Sequence, residues 1–231
     1  MNKIRDDIFS YREMCDVENA TLQRGMNFHL NNSYSVILMS QRTNAPYKDN
    51  IHDDGVTIEY EGHDVSRSNA INPKYKDQPD KLPSGKLTQN GLFIQAVNEY
   101  KKRDRSPEIV KAYEKIMDGV WSLKGFFDLV DFKIVFESGR NVFRFILRLS
   151  ENQQVDGRLI YKEILHTRLI PTEIKKEVWK RDQGKCVKCG ETKNLHFDHD
   201  LPFSKGGTSL TAKNVRLLCV MHNLQKSDKI E

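Results

Sequence analysis

The chain has 231 residues, enough for one large domain or two modest ones, with 37 Lys and Arg against 32 Asp and Glu and a formal net charge of +5. No apolar run approaches a membrane span, and the opening MNKIRDDIFSYREM is too charged for a secretory signal, so neither a membrane partner nor export is expected. Four cysteines do not make a disulfide framework, and a reducing cytoplasm is the expected home.

Residues 1–28 read as a polar, helical lead-in of weak periodicity and no assignable role. From Tyr34, SYSVILMS is a short apolar run suited to a buried strand. The loop QRTNAPYKDNIHDDG separates it from VTIEYEG, whose alternation predicts a half-buried strand from Val56 to a turn at Gly62. Residues 63–86 hold three of the seven prolines and many charges, which predicts a long excursion of the functional or mobile kind. Leu92, Phe93, Ala96, Val97 and Tyr100 share one helical face, so Thr88 to Lys102 is predicted helical. Ser106-Pro107-Glu108 offers an N-cap, a first-turn proline and an acidic first turn. With Ile109, Val110, Tyr113, Ile116 and Met117 on one face, it predicts a second helix that stops at Gly119. From Trp121 to Leu149 the pattern turns to strands, with DFKIVFESGRNVFRFILRL a hairpin that turns at Ser138-Gly139. Residues 1–158 are therefore expected to form a mixed α+β domain. Residues 159–171, ending in Pro171, are the expected linker, and Thr172 to Asp182 is a short amphipathic helix stopped by Gly184 that opens a C-terminal module, 172–231.

Two stretches of the first domain carry a resemblance. Tyr47 to Gly62 places DDG before a strand and ends in Tyr60-Glu61-Gly62, while Asp77-Gln78 through Lys86-Leu87-Thr88 and Asn90-Gly91-Leu92 leads into a helix. These are similar to the pocket region and the DQ-x-LT-x-x-N element of the SRA (YDG) family, readers of modified cytosine, over about residues 34–149. The chain departs from that pattern at His63-Asp64, where a doubled glycine is frequent, and at Glu61, where a small hydroxyl residue is common. The resemblance implies a PUA-like curved β-sheet or barrel with helices. It also implies a base flipped from the duplex, stacked on aromatics and read at its hydrogen-bonding edge by a carboxylate. Tyr47 and Tyr60 are the candidates for the stack, and Asp49 for the acceptor facing the exocyclic amine. On the residues alone, Tyr60 also suits a core strand, and Asp49, Asp53 and Asp54 suit turns. Lys101, Lys102, Arg103 and Arg105 form a basic cluster that could follow a DNA backbone or solvate a helix end.

The last stretch, Cys186 to Lys229, interleaves two sets of residues. Cys186-x-x-Cys189 and Cys219-x-x-His222 are paired knuckles, and together they offer the four ligands of a closed structural zinc site. A redox C-x-x-C with an unrelated Cys and His is the alternative, without a βαβ context to support it. Asp198-His199 closes the apolar stretch Leu195 to Phe197, Asn214 precedes Val215, Leu217 and Leu218, and Asn223 follows the last knuckle. Hydrolysis of a phosphodiester needs a base for water and a cation for the leaving oxygen. His199 suits the base, because the unperturbed pKa of a histidine lies near neutrality, whereas Asp198 and Asn223 are hard oxygen donors that could share Mg²⁺ or Mn²⁺.

These residues, with VWKRDQGKCVKCG, PFSKGG and HNLQKSD, resemble the zinc-containing HNH (ββα-metal) nucleases over roughly Ile170 to Lys229. The resemblance implies His199 as general base, Asp198 and Asn223 as holders of the catalytic cation, and Asn214 as the brace of the loop carrying His199. The final His of that family maps to His222 or to the next position, and the C-x-x-H spacing gives His222 to zinc. Residues 1–159 carry 23 basic and 23 acidic side chains and residues 160–231 carry 14 against 9, so the excess lies where phosphates would be gripped. Joined, the two resemblances imply a modification-dependent endonuclease of double-stranded DNA carrying 5-methyl- or 5-hydroxymethylcytosine, and a possible homodimer. An HNH endonuclease of unmodified DNA and a non-enzymatic zinc DNA-binding protein are the other readings.

Overall fold

The chain opens with a strand, β1 (Asp6–Phe9), and a short helix, α1 (Tyr11–Glu18). A capping box starts that helix: Ser10 Oγ accepts from Glu13 N at 3.3 Å and Glu13 Oε2 accepts from Ser10 N at 2.7 Å. Then follow β2 (Met26–Asn27), β3 (Ser35–Met39), β4 (Asn50–Ile51) and β5 (Thr57–Glu61). Helix α2 (Gln89–Lys101), capped by Thr88, leads to β6 (Glu108–Met117), β7 (Val120–Glu137) and β8 (Arg140–Leu149). A small pair, β9 (Gln153–Val155) and β10 (Arg158–Ile160), precedes α3 (Thr172–Arg181), β11 (Leu195–His199), β12 (Val215–Cys219) and α4 (Val220–Lys226). The computed structural model describes residues 6–30, 33–66, 72–150, 153–155, 158–160, 170–201 and 207–226. Most of the expected linker 159–171, most of the PFSKGG loop and the end of HNLQKSD lie outside them. No described helix is long and apolar enough to cross a membrane.

The strands expected at SYSVILMS and VTIEYEG, the helices at 88–102 and 172–182, and the hairpin at Ser138-Gly139 are present. At that turn both residues have positive φ, 51° and 77°, as a two-residue hairpin loop requires. Two expectations are corrected. Of the expected helical lead-in, residues 6–28 are strand, helix and strand, and residues 1–5 lie outside the described residues. The helix expected from Ser106 to Gly119 is strand β6, which lies between β3 (parallel) and β7 (antiparallel). Because both of its faces are covered, the alternation that marks a strand is absent, and its buried residues mimic helical spacing. Glu108 opens no helix: Oε1 accepts from Ser35 Oγ at 2.7 Å, and Oε2 meets Arg105 at 2.6 Å. Strand β5, expected half-buried, is buried on both faces because Arg140 and Arg144 cover its polar side at Glu61.

The fold is α+β, with an open ten-stranded sheet in the order β12-β11-β1-β7-β6-β3-β2 and a branch β4-β5-β8 on β7. Long β7 makes the branch possible: residues 121–122 pair with β1, and residues 127–137 pair with β8. One apolar cluster, including Ile37, Ile58, Phe93, Phe127, Phe145 and Leu147, lies between this sheet and α2. A second, including Val178, Leu195, Phe197, Val215 and Leu217, belongs to α3, β11 and β12. Each fully buried aromatic or aliphatic side chain contributes about 1.5–3 kcal/mol.

Strand β1 links the C-terminal strands to the rest of the sheet, with Ile8 packed on the second cluster and Phe9 on a third formed by Met14, Leu22, Val36 and Tyr113. Asp6 and Asp7 pair with Phe197 and His196 of β11, and Ile8 and Phe9 pair with Ser122 and Trp121 of β7. Helix α3 adds a buried polar joint, in which Lys175 Nζ donates to Ser122 Oγ at 2.7 Å. Thr172 Oγ1 donates to Glu114, whose other oxygen meets Lys124 Nζ at 2.9 Å. Ile8→Pro, which puts a proline into the middle of the β1 ladder, is expected to cost about 1–3 kcal/mol. Calorimetry is expected to show one unfolding transition splitting into two. A single, unshifted transition would mean that α3 alone holds the parts together.

Candidate functional sites

The C-terminal site is built by two tight loops. After α3, Gly184 (φ 63°) turns the chain so closely over Trp179 that a Cβ there would lie 2.8 Å from the indole ring. Cys186 N donates to Glu191 O, and Gly190 N, at φ 76°, donates to Cys186 O, both at 2.8 Å, which returns Cys189 towards Cys186. Val187 N donates to Leu217 O at 3.0 Å and ties this loop to β12, whose last residue is Cys219. His222 follows on the first turn of α4.

The ligand atoms of Cys186, Cys189, Cys219 and His222 all lie within 4.8 Å of one another. His222 Nδ1 is 3.5 Å from Cys186 Sγ and 3.3 Å from Cys219 Sγ, and Cys189 Sγ is 3.8 Å from Cys219 Sγ. A tetrahedral zinc with its usual bond lengths needs edges of about 3.8 Å between sulfurs and about 3.6 Å between sulfur and nitrogen. The four residues therefore fit a closed zinc site. Burial acts to raise the Cys186 thiol, but backbone hydrogen bonds involving Cys219, Lys188 and Cys189 outweigh it, and the pKa falls to about 6. That favours the thiolate a metal takes.

Beside it, β11 ends in Asp198 and His199, held in register by Arg216 and Val215 of β12. His199 Nε2 lies 2.9 Å from Ser209 Oγ. Asn214 clamps the intervening loop: Oδ1 accepts from Leu201 N at 2.8 Å, and Nδ2 donates to Leu201 O at 3.1 Å and to Thr208 O at 2.9 Å. Leu201 and Gly207 approach so closely that a Cβ on Gly207 would stand 1.9 Å from Leu201 O. Asn223 is buried on α4, and Lys226, three residues on and only 1% exposed, donates to the carboxylate of Asp198 and to His199 O. The i, i+3 spacing puts Asn223 and Lys226 on one face of that helix. Lys226 and Ser209 therefore join the expected residues of this site; the N-x-x-K spacing is the sequence signal for the first.

The expected base pocket is less simply arranged. Tyr47 is half-buried near the surface, with the Lys74 ammonium 4.1 Å from its ring centroid and the His63 imidazole stacked at 5.7 Å. Tyr60 is 1% exposed: its ring lies in the core, and its hydroxyl donates to Gly25 O at 2.8 Å. It therefore has no ring face open to a stacked base. Asp49 is half-buried by area, yet its carboxyl oxygens point inward and accept from Ser40 N at 2.9 Å and Glu61 N at 3.1 Å. Burial pushes its pKa up to about 7 against the pull of those two donors. As placed, Asp49 braces β5 against the end of β3. Asp54, by contrast, is a turn former that accepts from Val56 N and Thr57 N, each at 2.9 Å.

The DQ…N element supplies the framework of this region. Gln78 Nε2 donates to Gly62 O at 2.6 Å and its Oε1 accepts from Phe143 N at 2.8 Å. Asn90 Oδ1 accepts from His63 N at 2.8 Å while its Nδ2 donates to His63 O at 2.9 Å. A Cβ on Gly62 would lie 2.8 Å from both Asn90 Oδ1 and Gln78 Oε1, so the closeness of these amides requires glycine. Arg140 reaches Asp64 at 2.6 Å and Glu61 at 3.3 Å, and Arg144 reaches Glu61 at 3.4 Å. In the basic cluster, Lys101 pairs with Asp131, and Arg105 pairs with Glu108 and Glu99, which leaves less charge for a phosphate than the sequence suggests.

No family model matches the chain, and no curated protein matches it. Among solved structures, the SUVH5 SRA domain in complex with hemimethylated CG DNA is similar at 19% identity and a TM-score of 0.45, over 66% of this chain and 92% of that one. The same domain bound to fully hydroxymethylated CG DNA gives 19% and 0.45, over 66% and 91%. KRYPTONITE in complex with mCHG DNA and SAH gives 20% and 0.44, over 66% and 33%. Likeness at this level names no family for the chain.

Proposed function

We propose that the chain is a modification-dependent DNA endonuclease, in which residues 172–231 cut and the preceding domain selects duplexes carrying 5-methyl- or 5-hydroxymethylcytosine. The observation that carries the nuclease reading is a single ββα unit. In it Asp198 and His199 end one strand, Asn214 clamps the loop beyond them, and α4 presents Asn223 beside a four-ligand Cys and His cluster. In the tautomer that donates Nε2–H to Ser209, His199 bears a lone pair on Nδ1 and accepts the proton of the attacking water. A Mg²⁺ or Mn²⁺ held by Asp198 and Asn223 would supply positive charge for the leaving oxygen. Lys226 orients the Asp198 carboxylate and fixes the carbonyl of His199. Zinc on Cys186, Cys189, Cys219 and His222 has no open position and would hold the module together.

The reader assignment is supported by the sequence resemblance together with Tyr47, an aromatic ring near the surface on which an extruded base could stack. One module has one active site and cuts one strand, so a double-strand break takes a dimer or two separate nicks. The test is cleavage of matched duplexes containing cytosine, 5-methylcytosine or 5-hydroxymethylcytosine, with Mg²⁺ or Mn²⁺ and with EDTA. Cutting is expected only on a modified duplex, and is expected to vanish in EDTA. Equal cutting of all three would discard the reader and leave an ordinary HNH endonuclease. Binding without cutting would leave a zinc DNA-binding protein.

A further inference from the structure

The region assigned to the base already holds a flat heterocycle. The His63 imidazole lies against the Tyr47 ring, with centroids 5.7 Å apart and planes within 21° of parallel. Its Nε2 stands 3.3 Å from the hydroxyl of Tyr60. Burial lowers its pKa to about 4, so it rests there as a neutral ring, as a nucleobase would. The far side is closed by Gly25, where an added Cβ would lie 3.2 Å from both His63 Nε2 and the Tyr60 oxygen.

The backbone of His63 cannot retreat easily. Asn90 grips its N–H and its carbonyl with one amide group, at 2.8 and 2.9 Å. A base entering between Tyr47 and His63 would have to part the two rings against that clamp, whereas rotation about the side-chain bonds of His63 leaves the clamp intact. Resting on the reading of Tyr47 as the stacking residue, we propose that His63 is the gate of the base reader. Its imidazole holds the place of the extruded base and swings out when the base enters. The base then takes over the face of Tyr47 and approaches the Tyr60 hydroxyl. Displacing the imidazole weakens binding, because only the opened fraction of the protein accepts the base. A base therefore has to offer a better stack or a better hydrogen-bonding edge than His63 does.

The test uses the full chain without divalent cations, so that binding is separated from cutting. Fluorescence anisotropy is measured on duplexes with cytosine and with the modified cytosine that wild type prefers. His63→Ala and His63→Ser are expected to bind the modified duplex on the order of tenfold more tightly, since one aromatic stack and one hydrogen bond no longer need breaking. Weaker or unchanged binding by both variants would make His63 a wall or a scaffold residue and overturn the gate. A second readout needs no variant: carbethoxylation of His63, followed by mass spectrometry, is expected to be slow in the free protein and faster once modified DNA is bound. Unchanged or slower reaction on binding would also overturn it. If wild type binds plain and modified duplexes equally while His63 stays unreactive, the reader assignment itself fails, and the gate with it.

Discussion

His199→Ala is expected to lower metal-dependent conversion of supercoiled to nicked plasmid by about 10²–10⁴-fold, the range for removing a positioned general base. DNA binding is expected to persist. His199 is the last residue of β11, and the strand is held by its register with β12 and by β1, not by the imidazole. The loss of the ring deprives Ser209 of one partner, a cost of about 1–3 kcal/mol at most, which leaves the module folded. Asn214→Ala is the informative comparison. It removes three hydrogen bonds that hold the loop at Leu201 and Thr208 without removing the base, so it should fall between wild type and His199→Ala. Residual nicking by His199→Ala within tenfold of wild type would sink the assignment of His199 as base.

The legible features of this chain are those in which chemistry fixes both residue type and spacing. A metal takes soft ligands from a tight turn, so C-x-x-C and C-x-x-H can be read without knowing the fold, and the four ligand atoms converge. A two-residue hairpin needs two positive φ angles, so Ser138-Gly139 can be read as well. Residues whose role depends on a distant partner resisted. Strand β6 carries a helix-like pattern because β3 and β7 flank it and both of its faces are covered; β7 follows it directly through the turn at Asp118-Gly119, but β3 lies far upstream. Asp49 looked like an acceptor for a ligand, but the N–H of Ser40 and of Glu61 engage its two oxygens. Tyr60 suits both a stack and a core strand on its residue type alone, and it lies on the core face of β5, opposite Phe145. The pairing of β1 with both β7 and β11 is invisible locally, since four residues carry no record of strands more than a hundred residues away.

Cys219→Ser is expected to abolish zinc retention and unfold the C-terminal module within an otherwise folded chain. Cys219 ends β12, is buried in the apolar cluster with Leu195, Phe197 and Val178, and stands 3.3 Å from His222 Nδ1. Serine offers a harder, poorly ionised oxygen in place of a thiolate, so the ion would keep three ligands and an open position. Structural zinc supplies about 10–16 kcal/mol of apparent binding free energy in small zinc modules, far more than the second apolar cluster can replace. Zinc content is expected to fall from one per chain to near zero. Hydrogen exchange is expected to lose protection at β11 and β12 while β5 and β8 keep theirs, because their cluster around Phe145 and Leu147 contains no zinc ligand. Strand β1 is the sensitive reporter between the two. Its Asp6 and Asp7 pairs with β11 would open, while Ile8 and Phe9 remain bonded to β7. Cys15→Ser, on α1 and outside the ligand cluster, is the control that should leave zinc unchanged. Zinc held at one per chain in Cys219→Ser would remove Cys219 from the ligand set and reopen the assignment of His222 and Asn223.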